Sequence, residues 1–154
     1  MKHLDPHKPC ACTSGRPFQE CCRPYLRGEQ AAPDPVSLMR SRFSAFALDH
    51  APYLWSTLHS THPDRQKPEA DVLRSLRRAS RAYSYDALQI LDHAGAQVLF
   101  LATLSKSAFV ERSGFAQEGG AWKYVRGDLI PAGPESPKLT PATFQPSPAG
   151  PQQP

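Results

Sequence analysis

Three stretches of this chain repeat their apolar residues with a helical period, and four later stretches change to an alternating one. The first helical stretch opens at Asp34 and Pro35, an N-cap acceptor followed by a proline suited to the first turn. Val36, Met39, Phe43 and Phe46 then recur at helical spacing, which predicts a helix to about Leu48 with one buried stripe. A second, shorter helix is predicted after Asp49, carrying Tyr53, Leu54, Trp55 and Leu58 and ending near His59. The third spans about Pro68 to Arg81. It buries Val72, Leu73 and Leu76 and turns Arg74, Arg77, Arg78 and Arg81 to the other side.

After Tyr83 the period becomes two. Strands are predicted at Tyr85 to Leu91, Gln97 to Leu104, Ala108 to Phe115 and Trp122 to Leu129. Gly119 and Gly120 give a strong hairpin signal before the last of them. The run VLFLATL is apolar on both faces and reads as an internal strand, whereas Glu111, Arg112 and Ser113 alternate with Val110 and Phe115. Helices followed by an antiparallel meander make an α+β pattern, with a curved sheet wrapping the helices on one face. Residues 131 to 154 hold eight prolines and almost no aliphatic side chains. Such a composition does not offset chain entropy, so a disordered proline-rich tail is expected there.

The four cysteines change this picture. Cys10, Cys12, Cys21 and Cys22 all lie within thirteen residues at the N-terminus. In a reducing compartment, crowding of this kind points to a metal site more than to a disulfide framework. Four thiolates suit Zn²⁺ best, with an iron centre as the weaker choice, and leave no coordination position open, so the ion would be structural. Free thiols, or a vicinal Cys21–Cys22 pair that oxidises, are the competing readings. His3 and His7 are alternative ligands in a segment expected to be frayed. Lys8, Arg16, Arg23 and Arg27 surround the cluster as a candidate basic contact surface.

A net charge of +4 and a pI near 9.0 permit an acidic partner without demanding one. No run of about 18 apolar residues suggests a membrane span, and MKHLDPHKPC has no apolar stretch of the signal-peptide kind. The expectation is therefore a cytoplasmic protein. No glycine-rich phosphate loop, GxSxG elbow or HExxH helix is present.

Taken together, CACTSGRPFQECC resembles the SEC-C zinc motif, first associated with the C-terminal tail of the SecA translocation ATPase. With LMRSRFSAF, YLWSTLH, VLFLATL, and ERSGF followed by GGAWKYVRGD, the chain is similar to the YchJ family of small SEC-C proteins over about residues 9 to 130. The resemblance implies metal ligation by Cys10, Cys12, Cys21 and Cys22. It also implies a cone-shaped α+β domain like that of nuclear transport factor two and the SnoaL-like enzymes. Thr13 stands where relatives generally carry glycine. The expected organisation is a knuckle at 1–30, a cone at 31–130 and a tail at 131–154.

Two functions follow from this reading. The leading one is a non-enzymatic adaptor whose knuckle docks a protein or ribonucleoprotein partner, as the SEC-C segment does in SecA. The other is a small-ligand carrier or enzyme using the cavity of the cone, lined by Arg42, Tyr53, His59, Asp92, Glu111, Trp122 and Tyr124. Direct nucleic-acid binding ranks third, since no aromatic residues interleave with the arginines.

Overall fold

The computed structural model describes residues 1–146; residues 147–154, the end of the expected disordered tail, lie outside the described residues. Four helices precede a four-stranded sheet: α1 (Arg23–Leu26), α2 (Pro35–Ala47), α3 (Ala51–Ser56) and α4 (Glu69–Ala82), then β1 (Tyr85–Ala94), β2 (Gln97–Leu104), β3 (Ser107–Glu118) and β4 (Ala121–Pro131). The strands form an antiparallel meander in sequence order. The expected α+β architecture and the internal place of β2 are both observed.

Helix α2 organises the molecule. Asp34 Oδ1 accepts from the Ser37 backbone N–H at 2.7 Å, and Pro35 opens the first turn. The helix packs against α3, α4, β1, β2 and β4. It is consequently buried on more than one face, at Leu38, Ser41, Arg42, Ser44 and Ala45 as well as at Met39 and Phe43 of the predicted stripe, with Val36 and Phe46 half-buried. Two bonds close its C-terminus, from His50 N–H to Ala45 C=O at 2.8 Å and from Asp49 N–H to Phe46 C=O at 3.2 Å. This places Asp49 in the left-handed region, φ 56°, a position glycine usually takes. Helix α3 stops at Ser56 rather than near His59, because the chain leaves it to pair with β4. Tyr124 N–H bonds Thr57 C=O at 2.8 Å, and His59 N–H bonds Tyr124 C=O at 2.9 Å.

The inner face of the sheet presents Leu88, Val98, Phe100, Ala102 and Phe115 to the helices. Its outer face carries Leu99 and Val110, and here the segment after β4 folds back. Phe144, 3% exposed, buries itself against these two residues, and Leu139 packs beside it. Arg112 lies 5.1 Å from the Phe144 ring centroid and donates to Pro141 C=O at 3.0 Å. Residues 132–146, assigned from composition to a disordered tail, thus cover the second face of the sheet. Composition undercounts a segment in which a few apolar groups meet a ready-made surface.

Candidate functional site

At the N-terminus a small hairpin brings Cys10 and Cys12 together. Pro9 pairs with Pro17, Cys10 N–H bonds Arg16 C=O at 2.8 Å, and Thr13 N–H bonds Cys10 C=O at 2.9 Å. A single 3₁₀ turn at Phe18–Glu20 then delivers Cys21 and Cys22, the latter capping α1. All four thiols are buried, and their Sγ atoms lie within 4.8 Å of one another. Cys12 and Cys21 are 3.5 Å apart, Cys21 and Cys22 3.9 Å. These separations are far longer than the roughly 2.05 Å of a disulfide. They bracket the edge of about 3.8 Å expected for sulfurs placed tetrahedrally about 2.3 Å from a common ion.

The thiols also differ in acidity. A hydrogen bond from Cys10 holds Cys12 well below the usual thiol range, while the same contact pushes Cys10 up to about 11. Contact with Cys22 lowers Cys21 to about 6, and Cys22 itself is raised by the thiols it donates to. Packed thiols share protons in this way, and a cation is the group such a cluster suits.

The knuckle is docked on the cone. Ser44 Oγ of α2 lies 3.6 Å from Cys10 Sγ, and Arg40 of α2 donates to Cys12 C=O at 3.4 Å. Thr13 Oγ1 accepts from Leu88 N–H at 2.9 Å and donates to Leu88 C=O at 3.1 Å, closing on the edge of β1. Phe18 is buried in one cluster with the four cysteines. His3 and His7 are exposed and are not in the cluster. Of the predicted basic surface, Arg23 and Arg27 both face Glu29, at 3.7 and 3.5 Å, and Arg16 bonds the Glu20 carbonyl. Lys8 is exposed and in no ion pair with described residues.

Between α2, α4 and the inner face of the sheet the cone holds a cavity of about 350 Å³. Phe43, Phe46, Tyr85, Phe100, Ala102 and Phe109 form its walls; exposed Tyr83, Ser105 and Ser107 mark its rim, and buried Arg42, Glu111 and Tyr124 its inner end. Glu111 Oε1 accepts from Ser113 Oγ at 2.7 Å and from Tyr124 Oη at 3.0 Å. Arg42 Nη1 donates to Leu54 C=O at 2.9 Å and to Thr57 Oγ1 at 2.6 Å, with its guanidinium carbon 4.5 Å from the Tyr124 ring centroid. Burial pushes the Glu111 carboxyl up, against the opposing pull of Ser113, Tyr124 and Arg42, and burial likewise drives Tyr124 up. Gly127 of β4 makes room for this group: a Cβ there would stand 2.0 Å from Glu111 Oε1 and 2.4 Å from Tyr124 Oη.

Three of the seven predicted lining residues, Arg42, Glu111 and Tyr124, therefore converge. Tyr53 instead bonds Ser41 Oγ at 2.6 Å away from the cavity. His59 bonds Thr61 at 2.8 Å and faces Glu118 on the surface. Asp92 accepts from its neighbour His93 N–H on β1, and Trp122 sits in the β3–β4 hairpin opposite Gln117. The aromatic walls and Ser113 were missed as site residues; the alternation of Glu111 and Ser113, inward on one face, was the available signal.

Comparison with known proteins agrees with this arrangement. Residues 34–127 match the family described as the YchJ middle NTF2-like domain. A UPF0225 protein of Deinococcus radiodurans is 38% identical over 125 residues, covering 78% of this chain and 88% of that one. In structure the chain is similar to a SEC-C motif containing protein from Rhodopseudomonas palustris, with a TM-score of 0.66 and 28% identity, covering 80% of this chain and 99% of that one. A second SEC-C motif containing protein, from Psychrobacter arcticus, shares the fold at a TM-score of 0.58 and 20% identity, over 76% of this chain and 78% of its own. With its cysteine cluster at the N-terminus and the matched domain over residues 34–127, the chain belongs to the YchJ-like family.

Proposed function

We propose that this is a small-ligand-binding protein whose cone is the binding chamber and whose cysteine cluster is a closed, structural zinc site. The observation that carries the reading is the cavity: about 350 Å³ of apolar space left unfilled, with buried arginine, glutamate and tyrosine side chains at its inner end. Interiors ordinarily close-pack, and a deep apolar chamber with a few convergent polar groups is the usual form of a ligand site. The thiols support zinc through their spacing and their softness, and a cytoplasmic, reducing location would keep them available. No helix among the described residues is long and apolar enough to cross a membrane.

The test is to extract protein purified from its host and analyse the organic phase by mass spectrometry. A compound near stoichiometry with wild-type protein, and missing from Ala102→Trp, is expected, because the indole would fill the chamber. Equal recovery from both proteins would refute cavity binding.

The adaptor reading ranks second. One observation favours it: among the arginines of α4, Arg74 pairs with Asp71 and Arg81 with Asp49, whereas half-buried Arg77 and exposed Arg78 have no carboxylate partner among the described residues. A salt-sensitive pull-down weakened by Arg77→Ala with Arg78→Ala would support it, rather than one weakened at the knuckle.

A further inference from the structure

The inner end of the cavity has a donor surplus. A guanidinium offers five N–H groups. In Arg42 only Nη1 is engaged by protein acceptors, and Arg42 enters no ion pair with a described residue. The fully enclosed polar atoms without partners among the described residues are Asp49 Oδ1 and Ser80 Oγ. Arg42 Nε and Nη2 are not among them and make no hydrogen bond with a described residue, and Arg42 lines the cavity. Glu111 Oε2 makes no hydrogen bond with a described residue either, because Oε1 takes both of that carboxyl's protein hydrogen bonds. A buried cation without a counter-charge is costly, and an anion of matching shape is the ligand that relieves it.

Glu111 forms no ion pair with Arg42, and its Oε1 is taken by Ser113 and Tyr124. Its burial favours the neutral acid. A neutral carboxyl contributes no charge and can donate a hydrogen bond from the side facing the cavity. Arg42 is the cationic lining residue and, Glu111 apart, no other is ionic. One planar monoanion pairs with it; a dianion would bring an uncompensated charge into an apolar chamber.

Resting on the small-ligand reading above, we propose that the cone binds an apolar monocarboxylic acid, its carboxylate paired with Arg42 and hydrogen-bonded by Glu111, and its aryl or alkyl body against Phe43, Phe100 and Phe109. The shared planarity of guanidinium and carboxylate allows a bidentate pair. The volume suits a compact acid with a ring or a short chain.

The experiment uses the zinc-replete full chain and three probes that differ only in the head group: 4-phenylbutyrate, 4-phenylbutan-1-ol and 4-phenylbutylamine, titrated calorimetrically. The acid is expected to bind at least tenfold more tightly than the alcohol, and the amine most weakly. Alcohol as tight as acid, or amine tighter than both, would overturn the acid assignment and leave the cavity reading standing. No binding of any probe, together with equal extracts from wild type and Ala102→Trp, would overturn both. Glu111→Gln, neutral at every pH, should retain the preference for acid within about threefold, while its loss would show that the acid's ligand is not Arg42 with a neutral neighbour. Arg42→Met should remove the preference selectively; if that variant does not fold, the head-group series on wild type and Glu111→Gln decides the matter.

Discussion

Thr13 shows how one side chain joins the two parts of the molecule. Its φ of 56° lies in the left-handed region, which is least tolerant of β-branched residues. The hydroxyl offsets that strain by bonding both Leu88 N–H and Leu88 C=O on the edge of β1. Left-handed geometry costs about 1–2 kcal/mol, and two hydrogen bonds return about the same. Thr13→Gly should therefore leave stability within about 1 kcal/mol of wild type, since strain and bonds disappear together. Thr13→Val keeps the strain without the bonds and should lose about 2 kcal/mol. Paired denaturant titrations check this, and equal midpoints for the two variants would contradict it.

His50 gives a pH prediction at the same scale. Its Nδ1 accepts from Tyr53 N–H at 3.4 Å at the start of α3, so Nε2–H donates to Leu26 C=O in α1 at 3.0 Å. Burial lowers its pKa, and the Met1 amino group lowers it further, against the pull of the Leu26 carbonyl. An unfolded histidine titrates near about 6.5. A depressed folded value means the contribution is complete above that pH and is lost as pH falls towards the folded value. Half-buried His62 shifts in the same direction and Glu111 in the opposite one, so the readout is a difference. Wild type should lose stability relative to His50→Asn between pH 7 and 5.5; parallel curves would rule the role out. The cysteines, Arg42 and Glu111 were visible in the sequence because their types are unusual for their settings. Tyr53, His59, Asp92 and Trp122 were placed wrongly, since residue type does not say which face of a short helix or bulged strand turns inward.

At the scale of elements, local rules were enough to place most of the helices and strands. Asp34–Pro35 starts α2, and Gly119–Gly120, both at positive φ, makes the β3–β4 turn. The β2–β3 turn falls between the strands read from the sequence, at Ser105 and Lys106, which adopt φ of 47° and 69° without glycine. The early end of α3 was hidden, because pairing of Thr57–His59 with β4 depends on residues far along the chain. The knuckle carries the strongest prediction here. Its four sulfurs are buried together beside Phe18 and Leu26, and a bound structural zinc would supply about 10 kcal/mol or more of apparent folding free energy. If the ion is zinc, as proposed above, a strong chelator should release one equivalent of it and expose amides up to about Arg27 to rapid hydrogen exchange, while β2 and β3 stay protected. Simultaneous loss of protection in the sheet would show that the two parts unfold as one.

For the whole molecule, the decisive feature is that β2 is apolar on both faces. Val98, Phe100 and Ala102 point into the cone, whereas Leu99 and Leu101 point outwards, where an uncovered antiparallel sheet would meet water. That pattern in VLFLATL calls for a second layer, and among the described residues the proline-rich segment after β4 supplies it. Prolines reduce the entropy that this segment loses on docking, so few apolar contacts suffice, and Phe144 with Leu139 provides them. Phe144→Ala should cost about 3 kcal/mol, the usual range for a buried phenylalanine, while Arg112→Ala, which loses the ring contact and the bond to Pro141 C=O, should cost less. Truncation after Ala132 should uncover Leu99, Leu101 and Val110 together, increasing binding of an apolar dye and promoting self-association. The chamber lies on the opposite face of the sheet, so affinity for 4-phenylbutyrate should survive Phe144→Ala at temperatures where that variant is folded. If affinity falls as steeply as stability, the outer layer sets the curvature of the sheet and thereby the shape of the cavity.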